Sequence, residues 1–359
     1  MSELSSVPTI NTVAKHVGVS KATVSRVLRG GNGIGGQTIQ RVQQAIIELG
    51  YRPSKVASQL ARGGTGRAKS YVVEFVWFFH PRSELVDIVL RSDNDRAMFA
   101  AIWDAVSKKS FSVMVDFVDA GAADPKLPTL MGRNVADGLI VVGAVPPGWL
   151  AQASGLLPTV SLQQFSPLRQ DVPAVNCDYR GGVHGAVRHL VGHGHRQIAF
   201  FCIADPIDVH REMILGYEQG MSELGIEQVG GLLAAPKRAA GQSLEEVCGL
   251  ELDRWWAMPQ RPTAIMATEV YLGPILRLLT ARGIRVPQDV SLFSLSSGTE
   301  SARPTDPFFS RLEIPHKEMA VAATDRLMAR IDGHEALGEV ILLPMGFTES
   351  SSVASPPAS

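Results

Sequence analysis

The residues with the clearest chemical potential are Lys21, Thr23, Ser25 and Arg26, which combine positive charge with hydrogen-bond donors in a short stretch. Side chains of these types contact phosphate oxygens and the edges of nucleic-acid bases. They can act together only when a helix presents them on one surface. The elements around them therefore decide what chemistry is available.

Residues 9–29 predict two short helices. Apolar residues recur at helical spacing between positions 10 and 17, and Thr9 can cap the start of that helix. Gly18 interrupts the pattern, and Ser20 can cap a second helix whose apolar residues face the same small core. Two such helices make a helix-turn-helix, whose second helix can lie in a DNA major groove. An ordinary surface hairpin of helices is the alternative that this spacing alone leaves open.

Charge is distributed unevenly along the 359 residues. Residues 1–67 contain nine Lys and Arg against two Asp and Glu, whereas the remainder contains 25 against 33, so a balance of +7 is followed by one of −8. A basic first segment on an acidic body is typical of a nucleic-acid-binding head. A chain of this length also predicts two or three folding units.

The cysteines and the hydropathy indicate a cytoplasmic protein. Cys177, Cys202 and Cys248 lie far apart without CxxC spacing, which favours reduced, buried thiols over a disulfide framework. The N-terminus is polar, and no apolar run of about eighteen residues occurs. We therefore expect no membrane partner.

The glycine-rich stretch 30–36 contains a formal GxGxxG at Gly31, Gly33 and Gly36. A dinucleotide-binding fingerprint must follow a strand and open a helix. Here the motif follows a helix, and a further helix is predicted at about 37–49. We interpret the glycines as a flexible turn.

Residues 50–61 predict a short helix that begins after Pro53. About eight residues are too few for a stable isolated helix, so this segment would order against a partner such as its twin in a dimer on DNA. Leu60 could then wedge between base pairs in the minor groove, although packing on its own domain is an open alternative. Residues 61–70 are interpreted as a flexible basic linker.

From about residue 70, short apolar runs alternate with helical segments, which predicts βαβ units in two parallel sheets. Two such lobes would place a ligand cleft near the carboxyl ends of the strands. The predicted strands are 71–79, 111–118, 137–144, 158–162, 196–203, 262–267 and 289–295. The predicted helices are 97–109, 181–192, 208–224, 271–282 and 316–331.

Motif residues identify a family. They are Thr9, Val13-Ala14, Gly18-Val19-Ser20, Thr23–Leu28, Thr38, Arg41-Val42, Gly50-Tyr51-x-Pro53 and Val56-Ala57-x-x-Leu60. Further motifs follow at VNCDYRGG (175–182), HLVGHGHRQIAF (189–200), GYEQGM (216–221), RPTAIMAT (261–268), GIRVPQDVSL (283–292) and LMARI (327–331). With these residues the chain closely resembles LacI/GalR-family transcriptional regulators over roughly residues 9–345. The resemblance is weak over 71–110.

The resemblance implies a repressor that binds near-palindromic double-stranded operator DNA as a homodimer or a dimer of dimers. A small-molecule effector in the cleft would modulate its activity. Base reading is implied for Lys21, Ala22 and Arg26. Backbone contacts are implied for Thr9, Ser20, Thr23, Ser25 and Tyr51, and minor-groove contacts for Ala57 and Leu60.

The chain departs from the family where an effector would bind. The family's sugar-gripping Arg, its Asn-Asp pair, an Asp and a late Arg fall on Met213 (with Arg211 nearby), Thr268-Glu269, Ser296 and Ser350. Loss of an Arg fork and of carboxylate or amide groups removes partners for sugar hydroxyls. We therefore expect an effector that is not a simple neutral sugar, or none.

Other candidate sites are assigned structural roles. His184, His189, His193 and His195 cluster in sequence, and His189 and His193 have the i, i+4 spacing of metal ligands. However, His189 and Gly194-His195-Arg196 coincide with the family's helix-to-strand turn. No metal or cofactor is predicted. HExxH, GxSxG and GxxxxGK[ST] motifs are absent from the sequence, so we predict no enzyme. Asp178 is expected to cap a helix, and packing is expected of Trp149, Trp255 and Trp256.

The predicted organisation is an N-terminal all-α helix-turn-helix domain over 1–61, with a hinge helix at about 54–61, followed by a linker at 62–70. A two-lobed α/β, periplasmic-binding-protein-like effector-binding and dimerisation domain spans 71–349, and 350–359 is a disordered tail. A transport solute-binding protein would need an export signal and no basic head. An enzyme with a regulatory head would need catalytic motifs.

Overall fold

The computed structural model divides the chain into two compact units, Met1–Ser70 and Tyr71–Ser359, called here the head and the body. The described residues are 8–28, 33–49, 51, 69–79, 93–122, 125–127, 135–143, 145–164, 171–202, 208–227, 230–236, 239, 241–297, 309–334 and 338–357. The predicted hinge helix, with Ala57 and Leu60, and most of the linker lie outside these residues.

The head contains three helices, α1 (Ile10–Val17), α2 (Lys21–Leu28) and α3 (Gly36–Glu48). Gly18 ends α1 with a φ of 75°, in the left-handed region that glycine adopts without a Cβ penalty. The predicted helix-turn-helix and the third helix are therefore confirmed. The GxGxxG motif, which we interpreted as a turn and not as a dinucleotide-binding fingerprint, ends at Gly36, the first residue of α3.

A small apolar core holds the head together. Val13, Val24 and Val42, one from each helix, are 0% exposed. The Arg41 guanidinium adds a polar tie, because its Nη2 donates a 2.6 Å hydrogen bond to the carbonyl of Val17 at the end of α1. Each helix therefore buries one stripe and leaves the opposite surface open to solvent.

The body alternates strands and helices along most of its length. In chain order the elements are β1 (Val72–Phe79), α4 (Asp93–Lys108), β2 (Ser112–Asp119), β3 (Gly138–Val142), α5 (Pro147–Leu156), β4 (Thr159–Leu162), β5 (Ala174–Asp178), α6 (Tyr179–Gly192), β6 (Ile198–Phe201), α7 (Asp208–Glu223), β7 (Leu233–Ala234), α8 (Leu244–Trp256), β8 (Ala264–Ala267), α9 (Glu269–Ala281), β9 (Ser291–Ser297), β10 (Ser310–Glu313), α10 (His316–Ile331), β11 (Val340–Pro344) and β12 (Gly346–Thr348).

These strands form two six-stranded sheets. The first has the order β11-β5-β4-β3-β1-β2 and is parallel throughout. The second has the order β12-β10-β9-β8-β6-β7, and here β12 runs antiparallel to β10. The expectation of two parallel sheets is therefore corrected at one edge. The reason is that the chain enters β12 beside the carboxyl end of β10.

Three connections join the two sheets. They follow β5, β10 and β11, and lead to α6, α10 and β12 respectively. Because each leaves a sheet at the carboxyl end of a parallel strand, the carboxyl edges of both sheets lie beside the connections. This arrangement forms the two-lobed body and the cleft between its lobes.

The C-terminal segment corrects a second expectation, that of a disordered tail over 350–359. The Ser350 N–H donates to the hydroxyl of Ser310 at 2.9 Å, and the Ser352 hydroxyl donates to the carbonyl of Leu292 at 2.7 Å. Ser352 is fully buried. These polar residues are ordered because they satisfy groups on β9 and β10.

The three cysteines are free and buried, as predicted. Burial raises the pKa of each thiol, those of Cys177, Cys202 and Cys248, to about 12. They are therefore protonated at neutral pH and act as small apolar side chains.

Candidate nucleic-acid interface and effector cleft

Helix α2 presents the three predicted base-reading residues on its exposed side. Lys21, Ala22 and Arg26 are all exposed. Their positions span about 140° of the helix circumference, opposite the buried Val24 and Val27. A single helix face therefore offers an ammonium, a methyl group and a guanidinium to whatever lies against it.

The predicted backbone-contact hydroxyls organise the starts of α1 and α2. Thr9 caps α1, where its hydroxyl accepts the N–H of Thr12 at 3.3 Å. Ser20 accepts the N–H of Thr23 at 3.0 Å, and the two hydroxyl oxygens lie 2.9 Å apart. No acidic side chain lies in the first turn of α2. The positive end of this helix is therefore unshielded, which suits a phosphate.

Ser25 and Tyr51 complete the predicted backbone contacts, and both are half-buried. The Tyr51 N–H donates to the carbonyl of Ile46 at 3.0 Å, which holds the residue beside α3. Burial raises the pKa of Tyr51, so its phenol stays protonated and can donate a hydrogen bond.

Three of the predicted cleft residues follow or end neighbouring strands of the second sheet. Thr268 and Glu269 lie directly after β8, and Ser296 lies near the end of the neighbouring β9, at the carboxyl edge of the second sheet. The side chain of Ser296 is outside the described residues. Arg211 is exposed on α7.

The prediction that Met213 lines the effector cleft is corrected. It is 2% exposed and belongs to the apolar core of the body. An apolar thioether gains free energy by packing there, whereas the family's Arg would have to reach solvent or a polar ligand. The position therefore contributes to folding rather than to a polar ligand site.

One buried group at a strand end, Gln164, was not predicted. Gln164 follows β4, and its Nε2 donates to the carbonyl of Val145 at 3.3 Å. Its Oε1 and the Thr268 Oγ1 are buried without a hydrogen-bond partner among the described residues. The polar pair Gln163-Gln164 after an apolar strand was the available signal. Because most buried polar atoms in native proteins are paired, these two atoms are candidate contacts for a bound ligand or water.

Several structural roles are confirmed. Asp178 caps α6, where its Oδ1 accepts the N–H of Gly181 at 2.8 Å. Trp149 and Trp255 are 4% and 0% exposed within apolar clusters, and Trp256 packs beside the second of these. Within the described part of the chain, no helix is long and apolar enough to cross a membrane.

Family profiles match both units of the chain. The profile of bacterial regulatory proteins of the lacI family matches residues 9–54, and that of periplasmic binding protein-like domains matches residues 187–353. The chain belongs to the LacI family. This LacI-family chain is therefore a transcriptional regulator.

Curated relatives match this LacI-family chain along most of their length, and those named below are transcriptional regulators. The HTH-type transcriptional regulator CelR of Thermobifida fusca is 26% identical over 337 residues, which cover 89% of this chain and 92% of CelR. The HTH-type transcriptional repressor CytR of Escherichia coli (strain K12) is 24% identical over 330 residues, covering 90% of each chain.

Solved structures agree with the LacI-family fold. The lac repressor dimer bound to operator and the anti-inducer ONPF has a TM-score of 0.72 at 21% identity, over 97% of this chain and 100% of that one. The complex of the regulator CelR with cellobiose has a TM-score of 0.65 at 22% identity, over 96% and 99%. At these identities the likeness concerns the fold.

Proposed function

We propose that this LacI-family regulator is a repressor that binds a near-palindromic operator as a dimer, through the exposed face of α2. The observation that carries the proposal is the presence of Lys21, Ala22 and Arg26 on one solvent-facing side of the second helix of a helix-turn-helix. A dimer of dimers is a second assembly for which the same head would serve.

The three side chains would read bases in different ways. Arg26 can donate two hydrogen bonds to the O6 and N7 of guanine, and Ala22 can contact the methyl of thymine. Lys21 is a point charge and so is less directional. Arg26 is therefore the residue expected to fix one base pair.

The remaining residues of the head would set position and affinity. Phosphate contacts are assigned to Thr9, Ser20, Thr23, Ser25 and Tyr51. Ala57 and Leu60 would enter the minor groove from the hinge. The head's excess of seven positive charges over residues 1–67 would steer association and make binding sensitive to salt.

The test begins with selection of binding sites from random double-stranded DNA by the full-length chain. The selected sites should be inverted repeats, and affinity should fall steeply as salt rises. Arg26→Ala should lose about 1–3 kcal/mol of discrimination at one base position per half-site.

Gln43→Ala is the matched control for Arg26→Ala, because Gln43 is exposed in the same head on α3. It should leave the selected sequence unchanged. The assignment of Arg26 would be contradicted if its alanine variant preferred the selected site over random DNA by the wild-type margin.

We infer that the cleft binds a small molecule that is not a simple neutral sugar. The buried, unpaired Gln164 Oε1 and Thr268 Oγ1 support a polar effector. The missing Arg fork and the missing carboxylate or amide groups support one that is not a simple neutral sugar. The burial of Met213 supports the absence of a sugar-gripping cation there. Isothermal titration with common mono- and disaccharides tests this, and a micromolar sugar complex would refute it.

We further infer a cytoplasmic protein without enzymatic activity. The three buried, protonated thiols support a reducing compartment. The curated relatives named above are transcriptional regulators, which supports a binding function rather than catalysis.

A further inference from the structure

Two histidines and one glutamate meet at the end of α6. His189 and His193 lie one turn apart, and their ring centroids are separated by 4.4 Å. Glu349 follows β12, and its Oε1 lies 3.8 Å from the Nε2 of His193. One ligand atom from each residue lies within 4.8 Å of the others. Two imidazoles and a carboxylate are a common donor set for Zn²⁺.

The His193 ring is oriented as a metal ligand would be. Its Nδ1 lies 3.0 Å from the backbone carbonyl oxygen of His189, so a proton on Nδ1 donates to that oxygen. This hydrogen bond leaves a lone pair on Nε2, the atom on the side of Glu349. Metal-bound histidines commonly donate their other ring N–H to a carbonyl in this way.

The His189 ring is held in place and incompletely satisfied. Phe347 packs against it with a centroid distance of 4.8 Å and an interplanar angle of 61°. Its Nε2 is buried without a hydrogen-bond partner among the described residues.

One of the three residues lines a cavity, and another has an exposed side chain. His189 lines a cavity of about 430 Å³ beside the connection between β11 and β12, together with Gly185 and Met345. Ligand atoms on one tetrahedral Zn²⁺ lie about 3.4 Å apart, closer than the 4.8 Å limit within which these three atoms lie. The exposed Glu349 side chain, at 64%, can move to close the difference.

We propose that His189, His193 and Glu349 form a site for a divalent transition-metal ion, with Zn²⁺ as the best fit to two nitrogens and one oxygen. Solvent would complete the coordination. The ion would tie α6 to the segment that leads into the hydrogen-bonded C-terminal residues, and so stabilise the second lobe of the body. The sequence offered only the histidine pair, because Glu349 is more than 150 residues away.

The test uses the full-length chain after EDTA treatment and removal of the chelator. CoCl₂ titration should give visible absorption bands from a nitrogen–oxygen site that saturate at one ion per chain, and ZnCl₂ should displace the cobalt. ZnCl₂ should also raise the midpoint of thermal unfolding followed by tryptophan fluorescence, since all five tryptophans lie in the body.

Three variants make the test specific. His193→Ala and Glu349→Gln should each weaken Zn²⁺ binding by about tenfold or more. His184→Ala is the matched control, because His184 also lies on α6 but pairs with Glu223 at 2.8 Å. It should leave binding unchanged. In EDTA all three variants should unfold within a few degrees of the wild type.

Three results would overturn the proposal. The first is failure of the wild type to saturate with cobalt or zinc. The second is wild-type affinity in both His193→Ala and Glu349→Gln. The third is an equal loss of affinity in His184→Ala, which would indicate diffuse binding by surface histidines.

Discussion

The head and the effector cleft differ in how their functional residues are brought together. In the head, every described candidate lies between residues 9 and 51, on or beside helices whose caps and apolar spacing are local. In the cleft, Gln164 and Thr268 lie at the ends of strands in different sheets. The head is therefore predictable from a short stretch of sequence, whereas the cleft depends on long-range topology.

The largest expected effect is that of Val42→Asp, which tests whether the small apolar core of the head is needed for the head to fold. Val42→Asp would place a carboxylate where the side chain is 0% exposed, and an unpaired buried charge in so small a core should unfold the head. Operator affinity should fall by about a hundredfold or more. Tryptophan fluorescence should report an unchanged unfolding transition of the body.

Gln43→Asp controls for the added negative charge, because Gln43 is the exposed neighbour on α3. It should weaken DNA binding only slightly. Equal losses in the two variants would mean that repulsion by phosphates, and not loss of the core, explains the effect of Val42→Asp.

Many of the helices and strands in the head and the body could be predicted from the sequence, for physical reasons. Helical caps such as Thr9 and Ser20, and the break at Gly18, act on neighbouring residues, so the helices of the head could be located closely. The predicted strands of the body were all found. The strands β5, β7 and β10–β12 and the helices α5 and α8 were missed, because their runs are short or lack a clear period.

The cleft was harder to predict because equivalence to a family position does not fix a side chain's surroundings. Met213 occupies the position of a polar ligand residue but lies in the core. Gln164 was overlooked because its role depends on Val145, which is distant in sequence. The polar tail was predicted to be disordered because its partners on β9 and β10 come from tertiary contacts.

Met213→Ala provides the next largest effect and tests the core assignment. Removal of a buried methionine side chain should lower the free energy of unfolding of the body by about 2–5 kcal/mol. Denaturant unfolding followed by tryptophan fluorescence measures this. Arg211→Ala, two residues away and exposed, should cost less than about 0.5 kcal/mol. If Met213→Ala also cost less than about 0.5 kcal/mol, the result would instead favour a position open to the cleft.

Glu74 in β1 gives the body a pH dependence that the core of the head lacks. The residue is 1% exposed, and burial, followed by the nearby Asp116, raises the pKa of Glu74 to about 7. The native state therefore keeps a proton that the unfolded chain releases above its ordinary pKa of 4.5. The stability that the body gains from holding this proton is complete below pH 4.5 and is lost as the pH rises through about 7.

Glu74→Gln should remove this dependence, since the amide is neutral at every pH. Relative to the wild type, the variant should gain up to about 3 kcal/mol of body stability between pH 4.5 and pH 8. Denaturant midpoints at both pH values measure the change. Glu227→Gln, at an exposed position, is the control and should follow the wild type. Parallel pH profiles for Glu74→Gln and the wild type would contradict the assignment.

The smallest expected effect concerns a serine that caps a helix, a feature found in both the head and the body. Ser20 in the head and Ser243 in the body each accept the backbone N–H three residues later, at 3.0 and 3.1 Å. Because each hydroxyl satisfies a first-turn donor, Ser20→Ala and Ser243→Ala should each cost about 1 kcal/mol of stability in their own unit.

Aspartate at the same positions separates folding from recognition. An aspartate caps a helix about as well as serine does, so Ser20→Asp and Ser243→Asp should both retain stability. If Ser20 faces a phosphate, only Ser20→Asp should weaken operator binding, and the loss should grow as salt is lowered because like charges repel more strongly with less screening. Unchanged binding by Ser20→Asp would mean that the hydroxyl serves α2 alone, and the head would then contact the backbone through its other candidates.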